Sequence, residues 1–365
     1  MGIGIDISQI IYRGTGVGRF TRGLVESILE YDKKNKWFFF FSSLRNKLDK
    51  ELIKNIQKRN HKIYSLFLPP TILSYLWNNL HLYNIDNILP KLDWFITSDW
   101  IEPPSNINKT TIVHDLVFKR YPETLDKKIL NSQEKRFKWI KKESKIIFSD
   151  SVSTKKDLIN FFRIDAQKII VNYPGIKILT PDNDAVKKTL NKYSIKKEFI
   201  LTVGKIEPRK NIQKLIDAFI KLKGNNIDLV IAGEYGWGNK LKTEKNVHIL
   251  GYVDEISLFS LYKSCKLFIY PSFWEGFGYP VIEAMASGCA VATSNISSLK
   301  EIAGDSALLF DPNSIESIKS SILKLIENED LRKSYIKKGY LNWQKYNWKN
   351  YYELLINNLY NYKNI

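Results

Sequence analysis

Short runs of apolar residues, each followed by a longer amphipathic stretch, recur along the whole chain, and that alternation leaves few folds open. Runs such as FILTV at Phe199–Val203 or LFIY at Leu267–Tyr270 are apolar on both faces, as strands covered on both sides of a parallel sheet must be. Such runs stand at Ile3–Ile7, Trp37–Phe41, Trp94–Thr97, Thr110–His114, Lys145–Ser149 and Lys168–Val171. A second series stands at Phe199–Val203, Asp228–Ala232, Val247–Leu250, Leu267–Tyr270, Ala290–Ala292 and Ala307–Phe310. The spacing predicts helices between them at Gly18–Leu29, Thr124–Lys142, Ser151–Phe162, Asn211–Lys223, Glu255–Ser264, Pro280–Ser287 and Ile315–Ile326, with a helical tail over Asp330–Tyr362. Around residues 172–197 the periodicity lapses into Pro174, Gly175, Pro181, Asp182 and Asn183, the composition of a connection. The 365 residues suffice for two cores. The expectation is two tandem Rossmann-like, doubly wound α/β domains facing a central cleft. They are placed at 1–172 and 199–342, joined by 173–198, with a last helix in 343–365 crossing back to the N-terminal domain.

Composition narrows the function. No apolar stretch reaches the roughly 18 to 20 residues of a spanning helix. Met1–Ile11 lacks a basic start and carries Asp6 inside its apolar run, so it does not read as a signal peptide, and Gly2 is followed by Asp6 where a myristoylation site has Ser or Thr. Cys265 and Cys289 are the only cysteines, which excludes a disulfide framework and a cysteine-built zinc site; a cytoplasmic protein is expected. Lys and Arg number 56 against 38 Asp and Glu, a net charge of +18 that favours nucleic acid, anionic lipid or phosphorylated substrates. The lysines are spread over helices, for instance Lys127, Lys128, Lys135, Lys138, Lys141 and Lys142, which suits a broad basic face better than a nucleic-acid arm.

In parallel sheets of this kind ligands sit beyond the carboxyl ends of the strands, and the unusual residues fall there. After Leu267–Tyr270 comes EGFGYPVIEAMASG: a loop with Glu275, Gly276, Phe277 and Gly278, then a helix with Pro280 in its first turn. Glycines allow close backbone approach, and amides at the helix start favour an anion such as a diphosphate. Glu283, placed in the first helical turn, and Glu275, in the loop, are positioned to grip two ends of one elongated ligand, Glu283 accepting ribose hydroxyls. After Phe199–Val203 come Lys205, Arg209 and Lys210, three cations suited to neutralising a departing diphosphate. His114–Asp115 ends a first-domain strand, where a neutral imidazole could meet a sugar or a developing charge. Gly14-Thr15-Gly16-Val17-Gly18-Arg19 is a poor dinucleotide fingerprint: Arg19 stands at the third glycine, and Phe41 and Ser42 stand where an acidic residue belongs. Asp182-Asn183-Asp184 lies in the connection and reads as turn chemistry rather than a metal site. No metal and no cofactor is expected.

The spacing Glu-x7-Glu resembles the donor-site signature of glycosyltransferase family 4, the retaining sugar transferases of the glycosyltransferase-B fold. The resemblance extends to GTGVGRFTR at 14–22, VHDLVFKRYPE at 113–123, VGKIEPRKNI at 203–212, LGYVDE at 250–255 and SLKEIAGDSALLFDP at 298–312. Within the family the chain looks most like bacterial mannosyltransferases and related builders of surface polysaccharide. The resemblance implies a basic pair at Lys205 and Lys210, the first more often Arg, and a functional histidine at His114. It also implies a Gly16 region near the sugar-phosphate and an acceptor contact at Arg19. Lys300 stands where the family often has Pro, and Tyr279 where it often has Leu. The activity it implies is hexose transfer from a nucleotide-sugar, leaning to GDP-mannose, onto a lipid-linked or oligosaccharide acceptor at an anionic membrane surface. Glu275 is preferred as a group that orients the sugar; a covalent nucleophile stays open at this point. Helix Leu125–Ile140 and the aromatic tail (Trp343, Trp348, Tyr351, Tyr352) are the sequence candidates for interfacial contact. The rival readings are a basic, non-catalytic membrane- or nucleic-acid-binding protein and a nucleotide-sugar epimerase on the same fold.

Overall fold

The run KWFFFFS becomes strand β2 (Lys36–Ser42), and its alternation sends successive rings to opposite faces of one sheet. Trp37, Phe39 and Phe41 join a core with Ile3, Ile5, Phe20, Leu24 and Ile28. Phe38 and Phe40 join another with Leu73, Trp77 and Phe95. Both faces are therefore covered, which is why the strand reads as a continuous apolar run. The computed structural model describes residues 1–12, 14–222 and 226–362. It divides into Met1–Gly175 with Tyr346–Ile365, and Ile176–Lys345.

The first unit holds a seven-stranded parallel sheet in the order β3-β2-β1-β4-β5-β6-β7. Besides β2 its strands are β1 (Gly2–Asp6), β3 (Lys62–Leu66), β4 (Trp94–Ser98), β5 (Asn108–Val113), β6 (Ser144–Ser149) and β7 (Ile169–Val171). The order reverses between β1 and β4, so loops leaving these two strands diverge to opposite sides and open a ligand position at their carboxyl ends. The second unit repeats the plan with β8 (Phe199–Val203), β9 (Asp228–Ala232), β10 (Val247–Ile249), β11 (Leu267–Tyr270), β12 (Val291–Ser294) and β13 (Leu308–Phe310), in the order β10-β9-β8-β11-β12-β13. Its core gathers Ile200, Leu215, Ile216, Leu229, Ile231, Ile269 and Ile322.

The segment 176–198, expected as a connection, belongs to the second unit. Its polar cluster opens a helix: Asp182 accepts from the Ala185 amide at 2.7 Å and caps Asn183–Lys192, which packs on Glu255–Ser264. Asp182-Asn183-Asp184 is thus a helix start, and the turn reading is corrected. The helix expected to end at Lys223 spans Ile212–Ile220, and Lys223 lies outside the described residues.

The tail divides into helices Glu329–Trp343 and Trp348–Tyr362. The second packs on helix Gly16–Tyr31, burying Tyr351, Tyr352, Leu355 and Leu359 in the first core. A Cβ on Gly23 would lie 2.2 Å from the Trp348 ring, and one on Gly175 2.4 Å from the Trp348 backbone nitrogen, so these glycines make room for that helix. Tyr351 and Tyr352 are buried in that core and Trp348 packs on it, which removes these three rings as lipid contacts. Among the described residues no helix is long and apolar enough to cross a membrane.

Candidate active site

Strands β8 and β11 pair directly, Leu267 beside Ile200 and Phe268 beside Leu201, so the loops that leave them are neighbours. The loop after β8 turns at Gly204 (φ 135°) and continues through a 3-10 turn at Pro208–Lys210. Asn211 takes the left-handed conformation (φ 58°) and its side-chain amide donates to the carbonyls of Pro271 (3.1 Å) and Pro312 (2.8 Å). The Phe273 amide donates to the Arg209 carbonyl at 2.9 Å. Backbone and amide contacts thus fasten one loop to the other before any charge is considered.

The charges then meet. Lys210 Nζ lies 2.7 Å from Glu275 Oε1, and Arg209 Nη1 lies 3.0 Å from Oε2. The Tyr270 hydroxyl donates to Oε1 at 3.0 Å and accepts from Lys210 at 2.9 Å. Arg209 also donates to Glu207 and to the Trp274 carbonyl, each at 2.6 Å. Burial by itself would raise the pKa of Glu275, but Arg209 and Lys210 hold it down to about 2. Burial lowers the pKa of Lys210 despite Glu275 beside it. Exposed Lys205 belongs to the same loop, but its side chain lies beside Gly236, where a Cβ would come 2.9 Å from Lys205 Cε; the structure does not join it to the Glu275 network.

The Gly276-Phe277-Gly278 insert does more packing than cradling. Gly278 has φ 108°, and a Cβ there would lie 2.7 Å from Leu299 and 2.9 Å from Ile302; only glycine lets helix Ser297–Ala303 approach this closely. Phe277 and Gly276 are buried, the Phe277 ring edge-on to Tyr279 at 5.2 Å. Glu275 is tied in as well: its amide donates to Ser297 Oγ and its carbonyl accepts from Ser298. Helix Tyr279–Ala286 has no acidic residue in its first turn, so Glu283 falls one turn further along than expected. Glu283 is fully buried and accepts from the Tyr262 hydroxyl at 3.3 Å. The structure brings Arg209, Lys210 and Glu275 into one network, and Glu283 meets Tyr262 further along the helix.

In the first unit His114 follows β5. Its Nδ1 lies 2.8 Å from Asp150 Oδ2 and its Nε2 2.9 Å from Ser98 Oγ, and its ring meets Phe20 edge-on at 4.4 Å. Burial would lower the pKa of His114, but Asp150, with Asp99 and Asp115, raises it above the ordinary value. Gly16 opens helix Gly16–Tyr31 at the surface, behind the Thr15 cap, whose hydroxyl accepts from the Gly18 amide at 3.1 Å. A Cβ on Gly18 would lie 2.2 Å from the Tyr12 carbonyl, so Gly18 serves a tight helix entry, whereas a Cβ on Gly16 would meet open space. Arg19 is half-buried on the same first turn.

Sequence reasoning missed Tyr270, Glu207, Ser98 and Asp150 as members of these networks. The available signal was positional: Tyr270 and Ser98 are the last residues of β11 and β4, and Asp150 follows β6. Among the described residues no group of three or more His, Cys, Asp or Glu side chains comes together as a metal site.

Residues 185–342 match the family described as Glycosyl transferases group 1. The chain is similar to O-antigen chain mannosyltransferase B of Escherichia coli, 30% identical across 66% of this chain and 67% of that protein. Among solved structures it resembles sucrose-phosphate synthase from Thermosynechococcus elongatus, with TM-score 0.75 at 15% identity over 99% of this chain and 98% of that one. It also resembles Anabaena HepE in complex with UDP and glucose, with TM-score 0.71 at 14% identity over 99% and 100%. These structures establish the fold, the glycosyltransferase-B type of two doubly wound α/β units.

Proposed function

Because this chain belongs to the group 1 glycosyl transferases, we propose that it moves mannose from GDP-mannose to a lipid-linked or oligosaccharide acceptor in surface polysaccharide synthesis. The lean to mannose comes from the O-antigen chain mannosyltransferase to which the chain is similar. The donor is assigned to the second unit. Its diphosphate is bound by Lys205, Arg209 and Lys210 with the amides near Gly276 and Gly278, and the ribose is assigned to Glu283 after displacement of its Tyr262 contact. Gly16 is assigned to the sugar-phosphate, Arg19 to the acceptor and His114 to the sugar.

The observation that carries the mechanism is that both oxygens of Glu275 are engaged, one by Arg209 and one by Lys210 and Tyr270. A carboxylate neutralised by two cations is a weak nucleophile, so Glu275 is assigned to orienting the donor and its cations. The bond from the anomeric carbon to the diphosphate then breaks first. Its developing negative charge draws on Lys210 and Arg209, and the oxocarbenium-like sugar takes the acceptor hydroxyl oxygen on the same face. The acceptor proton passes to the departing phosphate oxygen, and configuration is retained. The cationic loop supplies the charge a metal ion would otherwise supply, so transfer is proposed to be metal-independent. Peripheral attachment to the cytoplasmic membrane brings the enzyme to a lipid-linked acceptor.

The test is a nucleotide-sugar panel scored for donor hydrolysis and transfer, with and without chelator, the product anomer being read by NMR. GDP-mannose should be turned over to an α-linked product in the presence of chelator. Turnover of UDP-sugars alone, or an inverted product, overturns the corresponding part of the reading.

A further inference from the structure

Residues 67–83, FLPPTILSYLWNNLHLY, contain no Asp, Glu, Lys or Arg in a chain that is 26% charged. Buried Leu73 and Trp77 anchor this segment to the first unit's second core. Leu68 and Leu76 pack half-buried on the same core, while Phe67, Ile72, Tyr75, Leu80, Leu82 and Tyr83 are between 45% and 71% exposed. Isolated exposed leucines are ordinary; six such side chains on one uncharged segment make a patch that soluble surfaces rarely leave open.

The neighbour of this patch has the opposite character. Helix Lys127–Glu143 is fastened to it by Ser74 Oγ to Ser132 Oγ at 2.6 Å, by the Trp139 indole donating to the Asn78 carbonyl at 2.9 Å, and by His81 stacked on Trp139 at 3.5 Å. Ser132 and Trp139 are seven apart and so form one row on that helix. Lys128, Lys135 and Lys142 repeat at the same interval and form the next row, offset by about 40°. All three are exposed, and the Lys142 ammonium lies 5.3 Å from the Trp139 ring. Apolar side chains standing beside a line of cations match an anionic bilayer, with acyl chains for the first and headgroup phosphates for the second.

We infer that residues 67–83 are an interfacial anchor that enters an anionic lipid bilayer, with Lys128, Lys135 and Lys142 on its headgroups. The inference deepens the membrane part of the proposed function and rests on it. It moves the contact away from the aromatic tail and makes the lysine helix the flank, not the part that inserts.

The test uses the full chain and sedimentation with vesicles of phosphatidylglycerol and phosphatidylethanolamine, and with phosphatidylcholine alone. The wild type should sediment with the anionic vesicles. Tyr75→Ser combined with Leu82→Ser should lose about tenfold in affinity at every salt concentration. Lys135→Gln combined with Lys142→Gln should lose affinity chiefly at low salt. Both pairs lie on the surface, and unchanged Tm confirms that they fold. If the serine variant binds like the wild type, the anchor is wrong while membrane attachment stands. If the wild type binds no vesicle, attachment and anchor fall together. A lipid-free dimer that the serine variant dissolves gives the patch to a second copy and also overturns the proposal.

Discussion

Lys210 Nζ lies 2.7 Å from Glu275 Oε1, so the cation suited to a diphosphate is held by the carboxylate suited to a sugar. On the proposed reading a donor shares that cation with Glu275, which would couple leaving-group binding to the position of the carboxylate.

Replacing Glu275 by Gln should therefore affect stability and chemistry together. Removing the carboxylate leaves Arg209 and Lys210 facing one another while buried, at a cost on the order of 3–5 kcal/mol. Because its pKa is depressed to about 2, the stabilisation in the wild type is fully present above the ordinary value of 4.5 and is lost as pH falls through about 2. Urea unfolding over the acid range should show this loss in the wild type and its absence in E275Q. Transfer should fall far more than donor affinity by calorimetry; unchanged turnover in Glu275→Ala removes the assignment. A sugar–enzyme adduct detected by intact mass would restore the nucleophile.

Lys210→Ala should lower kcat by roughly 10²–10³-fold, the scale of losing one preorganised contact to developing charge. Binding of GDP should weaken as well, and transfer should weaken more. Equal losses in the two would make Lys210 a binding group without a part in bond cleavage.

His114 and Asp150 set a pH dependence in the first unit. The His114 pKa is raised above its ordinary value of 6.5, so its contribution is present below that value and fades as pH rises through the raised one, while burial, by raising the Asp150 pKa as well, offsets part of the gain. Unfolding free energies measured between about pH 6 and 9 should converge between wild type and Asp150→Asn as pH increases. A gap that stays constant with pH contradicts the ion pair.

Gly278→Ala should cost about 1–3 kcal/mol, from positive φ and from contact with Leu299 and Ile302. Since the same loop carries Glu275, transfer should fall with it. Chemical denaturation checks the first effect and the donor assay the second; wild-type stability would mean that helix Ser297–Ala303 shifts freely.

The strands most legible in the sequence were those with two buried faces. Phe199–Val203, Asp228–Ala232 and Leu267–Tyr270 stand where the apolar runs place them. Edge strand β3 was missed because KIYSL is short, mixes exposed Lys62 and Ser65 with half-buried residues and buries none of them fully, so it carries no continuous apolar run. Helix Asn183–Lys192 was missed for a related reason: Thr189 is its one buried residue, so only its cap signalled it, and Asp182 reads equally as turn chemistry. At the site, Lys210 and Glu275 were each visible as candidates. Their pairing was not, because it depends on β8 lying beside β11, a property of strand order. Glu283 shows the opposite limit: spacing placed it on the right helix, but burial against Tyr262 is a tertiary fact.

The return of helix Trp348–Tyr362 to the first unit has a consequence for biogenesis. On the ribosome, Phe20, Leu24 and Ile28 emerge early, yet the rings that cover them are translated after the whole of 176–345. The second unit can close while the first still waits with an apolar face bare, which makes the early half of the nascent chain the natural client of a chaperone.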